Sequence, residues 1–390
     1  MNSLQSAVNR GERYLSLDVM RGLVIAMMIV VNTPGSWSDI YPPLEHAVWL
    51  GCTPTDWVFP SFLFLVGMSM RFSFKKYDYR LTWQVMAKIM TRGIILYGVY
   101  VILSLFWKCS GALIAGKPLD YAFFERISSH FRYFGVFPRI ALVYVLGSLL
   151  ALLTGTKKKL IVLILFLLLG YWAIMYYFGD YQQLTNAAHR LDLYLLGKEH
   201  LWQGEGFPYE PEGLLSTMPA IATSLLGYLC AIYIQMAESK SNLVKKLIIV
   251  GAMGIGMSEL WNLSFPISKK MWTSSFVLQT TGVDLLVLAI LIWHIDLKGR
   301  IRGTFFWKVF GMNALMAYVV SELPIPLLSY WKISYEGSSI SAYSFIYKSV
   351  FLPLSYGDLR LASLLFALSW MFLCWLVLYG MYRKGIFWKI

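Results

Sequence analysis

Leu160-Ile-Val-Leu-Ile-Leu-Phe-Leu-Leu-Leu-Gly170-Tyr-Trp-Ala-Ile-Met-Tyr-Tyr-Phe178 contains no charged side chain and follows directly on Lys157-Lys158-Lys159. A helix rises about 1.5 Å per residue, so roughly 20 apolar residues in a row match the hydrocarbon core of a bilayer, and a lysine cluster at one end marks the cytoplasmic side. The rest of the chain repeats this pattern. Of its 390 residues 58% are hydrophobic and only 14% charged, which excludes a water-soluble domain. Further spans are expected at 17–34, 57–74, 89–107, 137–154, 215–236, 247–265, 273–295, 306–330 and 360–382. Gly and Pro interrupt them, and none shows the ten-residue alternation of a barrel strand. The expected fold is an all-α, polytopic membrane helical bundle of about ten transmembrane helices, forming one domain over residues 1–390.

The net charge of +13 would suggest nucleic acid in a soluble protein, but the positions of the basic residues explain it without that partner. Arg10, Arg13, Arg71, Lys75, Lys76, Arg80, Lys88, Arg92, Lys157–159, Lys240, Lys245, Lys246, Lys298, Arg300, Arg302, Lys308, Arg383, Lys384 and Lys389 make 21 of the 34 basic residues, all on one side. That side is cytoplasmic by the positive-inside rule, so both termini are expected inside. The first apolar run carries Asp18 and Arg21 and ends in Asn32-Thr33-Pro34-Gly35, without a small-x-small cleavage site, and reads as a retained first helix. The four cysteines have no metal-binding spacing. Cys52 and Cys109 fall on the outer side, where a disulfide is open to them. The long loops 35–56, 108–137, 179–214 and 331–359 also lie outside, so function is expected at that end.

The loop Tyr41-Pro-Pro-Leu-Glu-His46-Ala-Val-Trp49-Leu-Gly51-Cys-Thr-Pro-Thr-Asp56-Trp-Val-Phe-Pro60 concentrates polar residues at a membrane boundary. Histidine titrates near neutrality and can take a proton from an attacking amine or carry an acyl group, and Asp56 could fix its tautomer. The plainer reading makes His46 a loop histidine and Asp56 a helix cap. His130, His189, His200 and His294 have sparser polar surroundings. Asp18, Arg21, Asn32, Arg139, Glu259, Asn262, Asp284, Asn313 and Glu322 sit in or beside spans, where burial is costly unless they face a cavity or a partner. Asp18 and Arg21, three apart, can simply pair across one turn. Asn32, Arg139, Glu259 and Asn313 could line a pocket opening outward. Glu210-Pro211-Glu212-Gly213-Leu-Leu-Ser216-Thr217 and Lys269-Lys270-Met271-Trp272-Thr273-Ser274-Ser275 each precede a helix and supply donors to a polar ligand, or serve only as caps. Trp272 beside Lys270 could stack on a sugar ring.

Several of these motifs, taken in order, resemble the transmembrane heparan-α-glucosaminide N-acetyltransferase family and its bacterial relatives, some of them associated with N-acetylglucosamine catabolism. The matching segments are Ser16-Leu-Asp18-Val-Met-Arg21-Gly22, Asn32, Glu45-His46-Ala-Val-Trp49 with Asp56-Trp-Val-Phe-Pro60, and Gly135-Val-Phe-Pro-Arg139. Pro211-Glu212-Gly213-Leu-Leu-Ser216-Thr217, Lys269-Lys270-Met-Trp272-Thr273-Ser274-Ser275 and Gly311-Met-Asn313 complete the set. The resemblance implies that acetyl-CoA donates an acetyl group to the amine of a terminal glucosamine, with no metal required. It implies His46 as the active-site histidine, Asn32 and Asp56 as its polar surroundings, and a homodimer. Arg21, Arg71 and Arg92 could attract the coenzyme phosphates. Only about 15 residues precede the first helix, where the animal enzymes have a large luminal domain. The expected setting is therefore a bacterial inner membrane, with a small amino sugar or cell-wall fragment as acceptor. Asn32 or Ser274 is the expected oxyanion donor. An amino-sugar permease and a glycan O-acetyltransferase are the alternative readings.

Overall fold

The computed structural model describes residues 14–388; Arg10, Arg13 and Lys389, three of the basic residues behind the expected charge asymmetry, lie outside the described residues. Ten long elements run back and forth: α1 (Leu15–Asn32), α2 (Pro54–Phe74), α3 (Trp83–Ile114), then after a short α4 (Tyr121–Ser129), α5 (Val136–Thr154) and α6 (Lys157–Tyr177). The short α7 (Ala187–Leu196) precedes α8 (Thr217–Gln235), α9 (Lys240–Asn262) and α10 (Ser274–Leu291). The last two are a broken element, α11 (Thr304–Met312) with α12 (Ala314–Glu322) and α13 (Pro324–Tyr330), and, beyond the short α14 (Ala342–Ile346) and α15 (Leu352–Leu354), α16 (Leu359–Arg383). Starts are set by caps: Thr82, Asp120, Thr156, Asn186, Thr273 and Asp358 each accept a backbone N–H from the first turn of the helix that follows.

Two crossings depend on glycine at both contact points. A Cβ at Gly67 of α2 would stand 1.7 Å from the Ser224 carbonyl oxygen of α8, and one at Gly227 would stand 1.9 Å from that of Phe64. Likewise Gly22 of α1 and Gly311 of α11 leave no room for a Cβ, with Trp307 O at 1.8 Å and Asp18 O at 2.0 Å. Helices in lipid gain nothing from apolar burial against each other, so small residues that let backbones touch are what hold them.

The described residues contain eight helices long and apolar enough to cross a membrane alone, and a ninth if the pair Thr304–Met312 and Ala314–Tyr330 counts as one. The chain is thus a polytopic helical membrane protein, with two departures from the expected ten uniform spans. The segment 247–265 is helical, but Lys240, Lys245, Lys246 and Glu259 make α9 less apolar than a lone span. It runs antiparallel to α10, with Lys240 Nζ 3.4 Å from the Asp296 carbonyl at one end and Ser258 Oγ donating to the Ser275 carbonyl at the other, 2.7 Å. The segment 306–330 is broken, bending by 82° at Asn313. The fold is also not wholly α: β1 (Lys332–Tyr335) and β2 (Ser338–Ser341) form an antiparallel hairpin. Its turn uses positive φ at Glu336 and Gly337, the twist-matched geometry for a two-residue loop.

The loops after α1, α6, α9 and α13 gather at one end of the bundle, here termed the His46 end. Cys52, Cys109, Cys230 and Cys374 are all free thiols, so the disulfide open to Cys52 and Cys109 is not formed.

Candidate functional site

His46 stands on the loop between α1 and α2, half exposed. Its Nδ1 lies 2.7 Å from Oδ1 of Asp56, in the first turn of α2, and the Asp56 carboxylate is fully buried. The other carboxylate oxygen accepts from the backbone N–H of Ala47 (3.1 Å) and Thr53 (2.9 Å) and from the Thr53 hydroxyl (3.1 Å). The N-cap of α2 is Thr53 and not Asp56, which as the third helical residue completes a capping box with it while also partnering His46. A carboxylate held this way accepts from Nδ1–H, which leaves the lone pair on Nε2.

A second loop, 263–273, closes against the first. The Gly51 N–H donates to the Ile267 carbonyl (2.7 Å), and Ser268 Oγ donates to the Trp49 carbonyl (2.7 Å). Trp49 Nε1 in turn donates to the Tyr181 carbonyl (2.8 Å). This union delivers Lys269 to the histidine: its Nζ is 3.1 Å from both ring nitrogens and 3.9 Å from Asp56 Oδ1. Sequence reading singled out the neighbouring Lys270, whose ammonium instead pairs with Glu205, which also accepts from Gln183. Both lysines lie in a turn closed by the Trp272 N–H on the Lys269 carbonyl (3.0 Å), with Trp272 a non-glycine residue at φ +52°. Burial pushes the Lys269 ammonium pKa below the usual lysine value, and the negative charges of Asp56 and Glu212 restore only part of it.

Behind this pair lies a buried charge network. Arg132 grips Glu210 with two parallel bonds, Nε to Oε2 (2.8 Å) and Nη2 to Oε1 (2.5 Å), and Nη2 also reaches Glu212 at 2.8 Å. Arg139, fully buried at the start of α5, donates through Nη2 to the Gly213 carbonyl (3.0 Å) and to Ser216 Oγ. Its Nε and Nη1 have no partner among the described residues. Burial raises the Glu210 carboxyl pKa despite Arg132. At Glu212 burial acts the same way, but Arg132, Arg139 and Lys269 outweigh it and hold that carboxyl below the usual range. Asp192, which accepts from Leu214 N–H at 2.9 Å, is pushed up to about 7 by burial, with Glu210 adding to the effect.

Arg132→Met leaves buried Glu210 without its cation and Glu212 with only Arg139 and Lys269, and is expected to cost about 3–5 kcal/mol at neutral pH. Glu210 then holds a proton in the folded state that the unfolded chain releases above about pH 4.3, so the deficit widens as pH rises. Unfolding midpoints in detergent at pH 5 and pH 8 check this; a deficit no larger at pH 8 would refute it.

The remaining sequence candidates lie elsewhere. Trp272 is 1% exposed, donates Nε1 to Thr223 Oγ1 (3.2 Å) and packs edge-on against Phe59 and Phe276, so it cannot stack on a sugar. Ser274 Oγ is spent on the Leu168 carbonyl (2.7 Å) and Ser275 Oγ on that of Phe265 (2.6 Å), which removes Ser274 as an oxyanion donor. Asn32 is the half-buried last residue of α1. Asp18, Arg21 and Asn313 form a separate group toward the opposite end. Arg21 reaches Asp18 (3.6 Å), Ser69 Oγ (3.0 Å) and the Gly311 carbonyl (3.3 Å). Asn313 ties down the chain end through the Ile386 carbonyl and the Trp388 N–H, both 3.0 Å. The expected outward pocket therefore does not include Asn313. Nor is Arg71 a free phosphate ligand, since it bonds Gln235 at 2.8 Å and lies 3.4 Å over the Tyr79 ring, and Arg92 lies over Tyr144. Among the described residues no three His, Cys, Asp or Glu side chains are placed to hold a metal ion.

No protein-family model matches the chain. It is similar to heparan-alpha-glucosaminide N-acetyltransferase of Homo sapiens, 25% identical over 97% of this chain and 60% of the relative. The protein of the same name from Mus musculus matches at the same identity and coverage. The chain is a relative of the heparan-alpha-glucosaminide N-acetyltransferases. A likeness to these N-acetyltransferases across 97% of the chain cannot come from one shared helix or loop. The chain spans about 60% of the length of these two relatives.

Proposed function

We propose that this protein is a transmembrane acetyltransferase, a single domain that moves an acetyl group from acetyl-CoA to the amine of glucosamine or of a terminal glucosamine. The observation that carries this reading is the His46–Asp56 pair, which leaves a basic Nε2 on a half-exposed ring at one end of the bundle. The names of the two relatives supply the transferred group and the acceptor class, and acetyl-CoA is the donor in this proposal.

A thioester is already activated, so the protein has to align the amine, accept its proton and stabilise the oxygen that becomes negative. The amine lone pair attacks the thioester carbon, a C–N bond forms, and Nε2 takes the proton. The tetrahedral centre then collapses with cleavage of the C–S bond, and the imidazolium proton passes to the departing thiolate. Asp56 fixes the tautomer and balances the imidazolium charge. In the variant of this route in which Nε2 itself is acetylated first, the same pair serves as nucleophile. The acceptor is taken up at the His46 end, which is the periplasmic side of a bacterial inner membrane in this proposal.

The test is transfer from labelled acetyl-CoA to glucosamine by the full chain in detergent. Labelled N-acetylglucosamine, with the label in a hydroxylamine-stable amide, is the expected product. An ester product would make it an O-acetyltransferase. No product with glucosamine or with short glucosamine-terminated sugars would overturn the reading.

A further inference from the structure

We infer that Lys269 is a catalytic residue of this acetyl transfer, its ammonium holding the carbonyl oxygen as that oxygen becomes negative. The inference rests on the reading above and assigns the oxyanion donor it leaves open.

Three observations converge on this lysine. Its Nζ is 3.1 Å from His46 Nε2, so an amine that takes the Nε2 lone pair displaces the ammonium from it and leaves Nζ beside the thioester carbonyl that the amine attacks. One reacting centre within about 3 Å of both the base and the oxyanion donor is the geometry acyl transfer needs. Second, Lys269 is not consumed by Asp56. That carboxylate is already engaged by His46, Ala47 and Thr53 at 3.1 Å or less, and the ammonium stands off at 3.9 Å. Beyond its contacts with the histidine, Nζ makes no hydrogen bond among the described residues, so its other protons are available. Third, the lysine is pre-positioned on a loop pinned by the Gly51–Ile267 and Ser268–Trp49 bonds, with its side chain only 19% exposed. A charge fixed before the reaction and partly shielded from water stabilises a developing oxyanion far better than one that must reorganise.

The charged and titratable groups around it are Asp56 from α2, His46 and Cys52 from the first loop, Lys270 beside it and Glu212 behind it. Burial lowers the Lys269 pKa, so the ammonium is lost at a lower pH than the roughly 10.4 of a free lysine. If the ammonium is what holds the oxyanion, kcat falls on the alkaline side as this proton leaves. Arginine stays charged beyond pH 12 or so and removes that fall.

The experiment compares full-length wild type, Lys269→Met and Lys269→Arg in detergent, with acetyl-CoA and glucosamine, over a pH series. Lys269→Met is expected to lower kcat about 10²–10³-fold, with KM for glucosamine changed less than about threefold and the unfolding midpoint preserved. Lys269→Arg is expected to retain activity above that of the methionine variant, with its alkaline fall moved to higher pH. Wild-type kcat in Lys269→Met, or a loss carried by KM alone, overturns the assignment. Should the methionine variant fail to fold, an alkaline limb identical in Lys269→Arg and wild type overturns it equally. A wild type that transfers no acetyl group at all strikes instead at the proposed function, so the two failures are separable.

Discussion

His46→Ala is expected to reduce acetyl transfer by about 10²–10⁴-fold, the contribution of a positioned general base, without changing how the protein folds. The imidazole is half exposed and its removal opens no core cavity. What it does remove is the one hydrogen-bond donor on Asp56 Oδ1, while the Ala47 and Thr53 bonds to Oδ2 remain. Lys269, 3.9 Å from Oδ1 in the native site, can swing on its flexible stem to take the vacated place. The expected signature is therefore a variant that purifies and unfolds like wild type but makes almost no labelled N-acetylglucosamine. A His46→Ala protein with more than a tenth of wild-type kcat would remove the histidine from the chemistry, whichever of the two routes it serves.

The largest structural effect is expected at the α2–α8 crossing. Gly67→Val places a Cβ where the Ser224 carbonyl oxygen already stands at 1.7 Å, and the obstacle is backbone, not a movable side chain. The helices must separate, and α2 carries Asp56 at its first turn. Overpacking of a well-packed interior commonly costs 1–3 kcal/mol; with a rigid helix backbone as the obstacle, about 3 kcal/mol or more is expected. Gly98→Val is the control, since a Cβ there meets nothing within 4 Å, and it should cost less than about 0.5 kcal/mol. Thermal unfolding in detergent of the two variants beside wild type checks this. Equal midpoints for Gly67→Val and Gly98→Val would show that the close crossing is not needed.

Hydropathy made the helices readable, because a bilayer imposes the same length and apolarity on each one regardless of its neighbours. It gives no sign of the bend at Asn313, because what holds that residue is contact with the 386–388 chain end and not its own apolarity. At the site, the link between His46 and Asp56 was legible because ten residues of loop and a helix start keep them together. Lys269 was not. Its loop is docked on that of His46 by the Gly51–Ile267 and Ser268–Trp49 bonds, between segments more than two hundred residues apart, and neither leaves a trace in local composition. Ser274 and Ser275 misled in the opposite direction. Hydroxyls at a helix start look like ligand donors until the carbonyls of Leu168 and Phe265 are found in front of them.

The bond from Gly51 to Ile267 joins segments made far apart in time. Chains are synthesised from the N-terminus at about 5–20 residues per second, so His46 and Asp56 meet early, while only α1 and α2 have been laid down. Lys269 follows after more than two hundred further residues, once α3, α5, α6, α8 and α9 have been threaded. A nascent chain halted before residue 267 can hold its histidine and aspartate in place and still lack the strut that fixes their loop and the cation beside them. The proposed transfer thus requires a polypeptide made past residue 269, and on that proposal a shorter fragment lodged in the bilayer would consume no coenzyme.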